Sequence, residues 1–221
     1  TEIKKVSDVV TIKVTPYVAF KNLFFVGDAT AAGWNTNNNN QALYRDASNT
    51  NKFYFTGKFG TSMFKLLEIL GDNTWQPQWG LKGGVVANSD GGEPEPFTVS
   101  TAGYYTFEVD ILAKTYSITP YSGAMTTYSS IDIAGNLNGW SGSTVLTQSS
   151  FDPHQWFIKD LVVSSNGEAK FRANGTWDIN WGAAAEFSGQ GTQGGANIPL
   201  NAGTYDVYFN DIDGRYVFVK K

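Results

Sequence analysis

The sequence contains WQPQWG at residues 75–80 and a second version of this stretch, WDINWG, at residues 177–182. Each copy places two tryptophans four residues apart, with a glycine directly after the second, and each follows a polar, turn-like segment. Recurrence of this kind indicates a structural unit that occurs more than once in a chain.

Three further features recur in the same order on either side of these stretches. They are an apolar run that leads to Gly33-Trp34 or Gly139-Trp140, FKL at 64–66 or AKF at 169–171, and AGYY at 102–105 or AGTY at 202–205. The copies are separated by 100 to 106 residues throughout. We therefore predict two versions of one fold in tandem.

Each version shows short strand patterns separated by turns. Residues 52–57 and 155–159 have strand patterns, and residues 103–119 and 203–219 are each predicted to form a terminal hairpin. Aromatic residues make up 15% of the chain beside 24 glycines, which favours strands over helices. We predict an all-β protein of two tandem β-sandwich modules of the immunoglobulin-like type, at residues 19–121 and 122–221.

Two segments fall outside this pattern, namely the N-terminal residues 1–18 and the asparagine run at residues 37–40. Residues 1–18 contain one strand pattern, and because a lone strand is not stable, we interpret it as a remnant of, or a link to, an upstream domain, or as a strand that pairs with the first module. No signal peptide is present, and we expect any export or lipid signal to lie upstream. The four asparagines at residues 37–40 are interpreted as a loop tip with no role in packing.

The composition argues against several classes of function. Of the 221 residues 41% are hydrophobic and 16% charged, the formal net charge is −4, and no basic block occurs, so a nucleic-acid partner is not expected. The absence of cysteine excludes disulfides, thiolate metal sites and cysteine nucleophiles. No stretch approaches the roughly 18 continuous apolar residues of a spanning helix. The surface must therefore carry mostly neutral hydrogen-bonding groups.

Tryptophan in polar loops indicates sugar binding, because a sugar ring presents C–H groups on its face and hydroxyls at its edge. A large, rigid aromatic ring lies against the face, while amides and a Lys or Arg bond to the hydroxyls. Trp75 and Trp177 lie in such loops, at the same place in both copies. Since exposed apolar surface is usually kept small, we favour binding over the alternative in which each ring folds back to cap its sandwich.

The other tryptophans are less decisive. Trp34 and Trp140 each end a Gly-Trp turn, and they either form the second wall of a sugar platform or plug the end of a sandwich. Trp79 and Trp181 are further candidates, although a place at the edge of the core is favoured for them. Trp156, in a strand pattern, is predicted to be a core residue.

Two lysines recur with the tryptophans. Lys65 and Lys170 alternate with apolar neighbours, so a strand places them on the face opposite the core. The repeat makes them candidates to bond sugar hydroxyls, against the alternative of ordinary solvated lysines. Arg172 shares the face of Lys170 but has Leu67 as its counterpart, so we expect the two sites to differ in their polar contacts.

The VGD…GW opening, the FKL strand, the WxxxWG loop and the AGxY hairpin, twice over, resemble the SusE/SusF family across residues 20–221. Its members are surface-exposed, outer-membrane, starch-binding lipoproteins of Bacteroidetes. The resemblance implies carbohydrate-binding β-sandwiches, each with a malto-oligosaccharide site in which two aromatics form an arc and a Lys or Arg bonds to hydroxyls. The strand at residues 8–17 is similar to the end of the immunoglobulin-like domain that precedes those modules.

The resemblance also implies which residues bind. Carried onto this chain, the sites are Trp34, Lys65 and Trp75 in the first module and Trp140, Lys170 and Trp177 in the second, with Trp79, Arg172 and Trp181 as further contacts. It implies a place on the outer membrane at the cell surface, a lipid anchor upstream, and other outer-membrane glycan-uptake proteins as partners.

An enzyme is not expected, and neither is a cofactor. Glycoside hydrolysis needs two placed carboxylates, and no acidic pair recurs in both copies. The single His154 is isolated and is interpreted as a surface loop residue. A calcium site at Asp28, Asp72 and Asn73 stays open, although their spacing matches no EF-hand. The predicted function is non-catalytic capture of starch or malto-oligosaccharide, with another polysaccharide, or a role as a structural or protein-interaction spacer, as alternatives.

Overall fold

The computed structural model describes residues 20–221, and the strand predicted within residues 1–18 lies outside the described residues. Regular structure in this range is almost all β-strand, beside two short 3-10 turns at Ser89–Gly91 and Asn136–Asn138. Within residues 20–221 there is no helix whose length and hydrophobicity would let it cross a membrane.

The strands fall into two groups along the chain. The first sandwich contains β1 (Phe24–Val26), β2 (Tyr44–Arg45), β3 (Lys52–Phe59), β4 (Ser62–Leu67), β5 (Gln78–Lys82), β6 (Val85–Asn88), β7 (Phe97–Val99), β8 (Gly103–Asp110) and β9 (Thr115–Pro120). The second contains β10 (Ile131–Gly135), β11 (Thr144–Val145), β12 (Thr147–Gln148), β13 (Gln155–Val163), β14 (Gly167–Ala173), β15 (Asn180–Gly182), β16 (Ser188–Gln190), β17 (Thr192–Gln193), β18 (Ile198–Leu200), β19 (Gly203–Asn210) and β20 (Arg215–Lys220).

Each sandwich is built from two antiparallel sheets that are connected in a similar order. In the first, one sheet runs β1-β4-β5-β6 with β7 beside β4, and the other runs β2-β3-β8-β9. In the second, one runs β11-β10-β14-β15-β17 with β18 beside β14, and the other runs β12-β13-β19-β20-β16. The predicted all-β sandwich fold and both terminal hairpins, β8–β9 and β19–β20, are confirmed. The exact bounds of the two modules stay a prediction.

Aromatic side chains fill both cores. In the first, Phe25 meets Phe55 edge-on with 4.8 Å between ring centroids and Phe64 with 5.3 Å. In the second, Phe171 of β14 stacks on Phe209 of β19 at 4.3 Å. Trp156 lies in this second core, as predicted, with 2% of its surface exposed. The two facing sheets of each sandwich are therefore joined by close ring contacts.

The sheet that contains β13, β19 and β20 packs on both of its faces. Because side chains alternate along a strand, Val207 and Phe209 point into the second core, while Tyr208 and Val217 belong to the core of the first sandwich. The first sandwich therefore covers the outer face of this sheet.

Buried hydrogen bonds fix the contact between the two sandwiches. The hydroxyl of Tyr44 donates to Oε1 of Gln155 at 2.7 Å, and Nε2 of Gln155 donates to the carbonyl of Thr56 at 2.9 Å. Nδ2 of Asn210 donates to the same carbonyl at 2.7 Å. Since each of these groups would be left unsatisfied if the sandwiches shifted, the bonds define one relative orientation.

Two sequence interpretations are corrected here. His154 is buried rather than a surface loop residue, and its Nδ1 lies 2.7 Å from Oδ1 of Asp211, whose Oδ2 accepts a hydrogen bond from Nε1 of Trp156. Burial raises the pKa of the Asp211 carboxyl to about 6. Asn40, expected to have no role in packing, is buried and donates to the carbonyls of Phe25 and Asn35 at 2.8 and 2.9 Å. The residues around His154 and Asn40 show no alternation that would predict burial. Asp211 lies far along the chain from His154, and Asn40 lies in a loop and bonds to backbone carbonyls.

Candidate functional site

The outer face of the β10-β14-β15 sheet carries a line of polar side chains. Phe171 of β14 points into the core, so its neighbours Lys170 and Arg172 lie on the opposite face. In register across the strands, Asp132 of β10 pairs with Arg172, which pairs with Asn180 of β15. We call Asp132, Arg172 and Asn180 the polar row.

Two tryptophans stand beside the polar row. Trp140 follows the 3-10 turn after β10, and Trp177 lies in the turn between β14 and β15. Their ring centroids are 6.0 Å apart and their planes make an angle of 34°. Trp177 is 42% exposed and Trp140 is half-buried. We call these two residues the aromatic pair.

The backbone of Trp140 has an uncommon conformation. Its φ is 65°, in the left-handed region that bulky residues rarely adopt. Gly139, directly before it, has a φ of 69°, and the N–H of Trp140 donates to the carbonyl of Gly135 at 2.9 Å. A bulky residue held in this region costs free energy, and such residues cluster at binding sites.

Arg172 supports the aromatic pair from within. Its Nε and Nη2 donate to the two oxygens of Asp132 at 2.8 and 3.1 Å, and Nη2 also donates to the carbonyl of Gly142 at 2.9 Å. The guanidinium carbon lies 4.6 Å from the ring centroid of Trp177. Because Arg172 is only 3% exposed while Trp177 is 42% exposed, the guanidinium lies on the inner side of the indole. The exposed part of the indole therefore faces away from Arg172.

Neutral and cationic donors lie next to this surface. Nζ of Lys170 donates to Oδ1 of Asn180 at 3.2 Å, and Nδ2 of Asn180 donates to the carbonyl of Trp177 at 2.8 Å. Lys170 and Asn180 are both half-buried. The structure thus brings together four of the predicted residues, Trp140, Lys170, Arg172 and Trp177.

The equivalent face of the first sandwich is chemically different. In the same register, Phe24 of β1 pairs with Leu67 of β4, which pairs with Gln78 of β5. All three are buried, and Oε1 of Gln78 is buried without a hydrogen-bond partner within the described residues. Lys65, the counterpart of Lys170, is also buried and pairs with Glu93 at 2.9 Å. No polar row equivalent to that of the second sandwich forms here in the described part of the chain.

Trp34 and Trp75 of the first sandwich do not form a ring pair. Trp34 is 39% exposed and Trp75 is half-buried, but no aromatic ring of residues 20–221 lies within pairing distance of either. The loop after Trp34 instead contacts the loop before Trp75, where Thr36 donates to the carbonyl of Gly71 at 2.6 Å. Nδ2 of Asn37 donates to Asp72 at 2.8 Å in the same contact.

Trp79 and Trp181 lie in the two cores, with 7% and 8% of their surfaces exposed. Nε1 of Trp79 donates to Glu68 at 2.7 Å, and the ring of Trp181 lies 5.2 Å from that of Phe209. A buried ring offers no face to a sugar, so the core alternative replaces their prediction as binding residues.

Sequence reasoning missed two members of the polar row. Asn180 has an amide counterpart, Gln78, directly before the second tryptophan of each WxxxWG stretch, which is a repeated signal. Asp132 and Arg172 form a charged pair across two strands, and the equivalent positions of the first sandwich hold the apolar pair Phe24 and Leu67. This joint change from apolar to charged residues is the signal for Asp132. Among the described residues, no cluster of three or more His, Asp or Glu is placed to hold a metal ion.

No family model matches the chain, and a comparison with curated proteins finds no relative. Among solved structures, the chain is similar to SusF from Bacteroides thetaiotaomicron, with 19% sequence identity and a TM-score of 0.36. The match covers 94% of this chain and 50% of that chain, so the chain spans about half the length of SusF. A similarity of this size carries no argument about function, for which the geometry of the aromatic pair is the basis.

Proposed function

We propose that this protein captures an α-glucan, starch or a malto-oligosaccharide, without catalysis, and that the aromatic pair of the second sandwich is the binding surface. The observation that carries this is the exposed outer side of Trp177 beside Trp140, with 6.0 Å between the ring centroids. Two neighbouring aromatic rings with accessible surface form an apolar patch of the kind that marks ligand-binding sites. Lys170 and Asn180 supply donors for hydroxyls at the edge of a bound ring.

The angle between the rings favours a bent chain. Two coplanar rings suit a flat polysaccharide, whereas ring planes inclined by 34° suit a chain whose successive sugar rings are also inclined. The buried guanidinium of Arg172 and its bonds to Asp132 hold Trp177 in place before any ligand arrives. Because such a surface loses little conformational freedom on binding, more of the contact energy remains for affinity.

We propose that the first sandwich lacks an equivalent site and has a structural role. Phe24 and Leu67 replace the charged pair, and they are fully packed rather than available to a ligand. This observation favours the spacer alternative for this face of the first sandwich alone.

Affinity electrophoresis in native gels that contain amylopectin tests the proposal, with xylan and dextran gels beside it. We expect retardation by amylopectin, and Trp177→Ala should weaken the affinity about 30-fold, because loss of a central aromatic contact costs about 2 kcal/mol. Trp75→Ala is the matched control, since it removes the tryptophan at the equivalent place in the first sandwich, and it should bind like the parent.

Each other outcome is informative. If Trp75→Ala weakened binding as much as Trp177→Ala, the assignment to one sandwich would be wrong. Retardation by xylan or dextran alone would keep the aromatic surface and exclude the α-glucan. A Trp177→Ala protein that is retarded like the parent would contradict the site itself.

The cellular setting is part of the proposal and rests on the sequence resemblance. We place the protein on the outer membrane at the cell surface, attached by a lipid anchor upstream of the first sandwich. Other outer-membrane glycan-uptake proteins would be its partners. Protease shaving of intact cells tests this location, since a surface protein is removed while an internal one survives.

A further inference from the structure

A cleft of about 720 Å³ lies between the two sandwiches, and neither the aromatic pair nor the polar row contributes to it. One wall is the loop at residues 37–41 of the first sandwich, and the facing wall is residues 147–152 of the second. Pockets for small ligands commonly have volumes of about 300–1,000 Å³ and often occur where two domains meet. The cleft matches both criteria.

The walls offer mainly neutral hydrogen-bonding groups. The first wall carries the amides of residues 37–41, and the second carries the hydroxyls of Thr147, Ser149 and Ser150 beside the amide of Gln148. Asn40 is buried and donates two bonds to backbone carbonyls, and the amides of Asn37 and Gln148 each donate one bond within the protein. The hydroxyls of Thr147 and Ser150 and the remaining amide hydrogens and oxygens can act as donors and acceptors, which suits a polyhydroxylated, uncharged ligand.

The charged groups of the cleft are largely engaged within the protein. Lys159 forms an ion pair with Asp206 at 3.1 Å. The carboxylate of Asp152 accepts bonds from the backbone N–H groups of Lys58 and His154 at 2.9 and 3.1 Å. The ammonium of Lys58 remains exposed, 5.3 Å from the ring centroid of Phe151.

Aromatic side chains supply the apolar surface of the cleft. Phe151 and Phe157 line it from the second sandwich, and both are only half-buried. A ring with an accessible face beside amides and hydroxyls is the combination that a sugar requires, with an apolar contact for its C–H face and donors for its edge.

The cleft is held open by contacts that exist without a ligand. Residues from both walls continue into the buried bonds between the sandwiches, where Tyr44 meets Gln155 at 2.7 Å and the N–H of Lys58 meets Asp152 at 2.9 Å. A ligand therefore enters a preformed site and loses less free energy to ordering it.

We propose that this cleft is a second carbohydrate site that takes a short, neutral oligosaccharide or the end of a longer chain. Its walls enclose a ligand on two sides, whereas the aromatic pair is an open surface that can contact the middle of a polysaccharide. The proposal takes its ligand class from the proposed function, but it concerns different residues on a different face. The two can therefore fail separately.

Isothermal titration calorimetry with maltotriose tests it on four proteins: the parent, Trp177→Ala, Thr147→Trp and Thr119→Trp. Thr147 is an exposed residue of β12 that lies in register with Phe157 and lines the cleft, so an indole there fills the space. Thr119→Trp is the matched control on the exposed strand β9. Near-ultraviolet circular dichroism confirms that each variant folds, and Ser150→Trp is a second way to fill the cleft.

We expect two sites in the parent and in Thr119→Trp, and one site in Trp177→Ala and in Thr147→Trp. If Trp177→Ala abolished all binding while Thr147→Trp left it unchanged, the cleft proposal would be overturned and the aromatic pair kept. The opposite pattern would overturn the aromatic pair and keep the cleft. Trp177→Ala should bind maltotriose more tightly than the anionic trigalacturonate. The reverse order would overturn the neutral ligand class, because the exposed ammonium of Lys58 would then determine binding.

Discussion

Replacing Arg172 by leucine should destabilise the protein far more than replacing Arg172 and Asp132 together by the residues of the first sandwich. Arg172 and Asp132 form a buried ion pair with two hydrogen bonds of 2.8 and 3.1 Å. Leu67 and Phe24 occupy the same register positions in the other copy and pack without charge. The protein thus has a charged pair in one sandwich and an apolar pair at the equivalent positions of the other.

The magnitude follows from what each variant leaves behind. Arg172→Leu strands the carboxylate of Asp132, which is 1% exposed and keeps only the Ser143 hydroxyl at 2.6 Å as a partner. Removing one partner of a buried ion pair costs about 3–5 kcal/mol. For a chain of this size that lowers Tm by roughly 10 °C. The Asp132→Phe/Arg172→Leu double variant leaves no buried charge, so its stability should lie within about 1 kcal/mol of the parent.

Urea denaturation followed by tryptophan fluorescence measures the four corners of this double-mutant cycle. A double variant no more stable than Arg172→Leu alone would refute the reasoning, because it would show that the charge left unpaired is not what destabilises. Amylopectin retardation is a second readout. The double variant should remain impaired in binding although its stability returns, because the support beneath Trp177 is gone.

Two further predictions concern stability alone. Burial raises the pKa of Asp211 to about 6, so the folded state holds this proton more tightly than the unfolded state. Stability should therefore fall by about 3 kcal/mol as pH rises from about 3 to about 7. Urea denaturation across this range should show the decline, and Asp211→Asn should lack it. Gly80→Ala and Gly182→Ala should each lose about 1–3 kcal/mol, because a Cβ would overlap the carbonyl oxygens of Glu95 and Ala196, respectively, whereas Gly60→Ala, with its nearest contact at 3.4 Å, should be tolerated; a thermally neutral Gly182→Ala would contradict that close approach.

The fold could be predicted because its signals are local and occur twice. The FKL and AKF strands and the AGxY hairpins alternate with period two, and turns separate them. The burial of His154 and Asn40 could not be read in this way. His154 reaches Asp211 across the fold, and Asn40 bonds to backbone carbonyls, so neither contact leaves a pattern in the neighbouring residues.

The candidate site was predictable in part. The recurrence of tryptophan in equivalent loops pointed to Trp177 and Trp75 alike, but recurrence says nothing about whether two rings meet. That outcome depends on the loop between Gly27 and Gln41, which is longer than its counterpart and folds against Gly71. The role of Arg172 beneath an indole, rather than against a ligand, follows from its burial, which its position in a strand alone does not disclose.

Neighbouring residues of β19 lie in different cores, with Val207 in one and Tyr208 in the other. A protease cut in the segment 121–127 would therefore leave two fragments that stay associated. Either fragment expressed alone would expose the apolar surface that the other sandwich covers in the intact protein. The two sandwiches, although they repeat one sequence pattern, therefore depend on each other to bury their apolar surface.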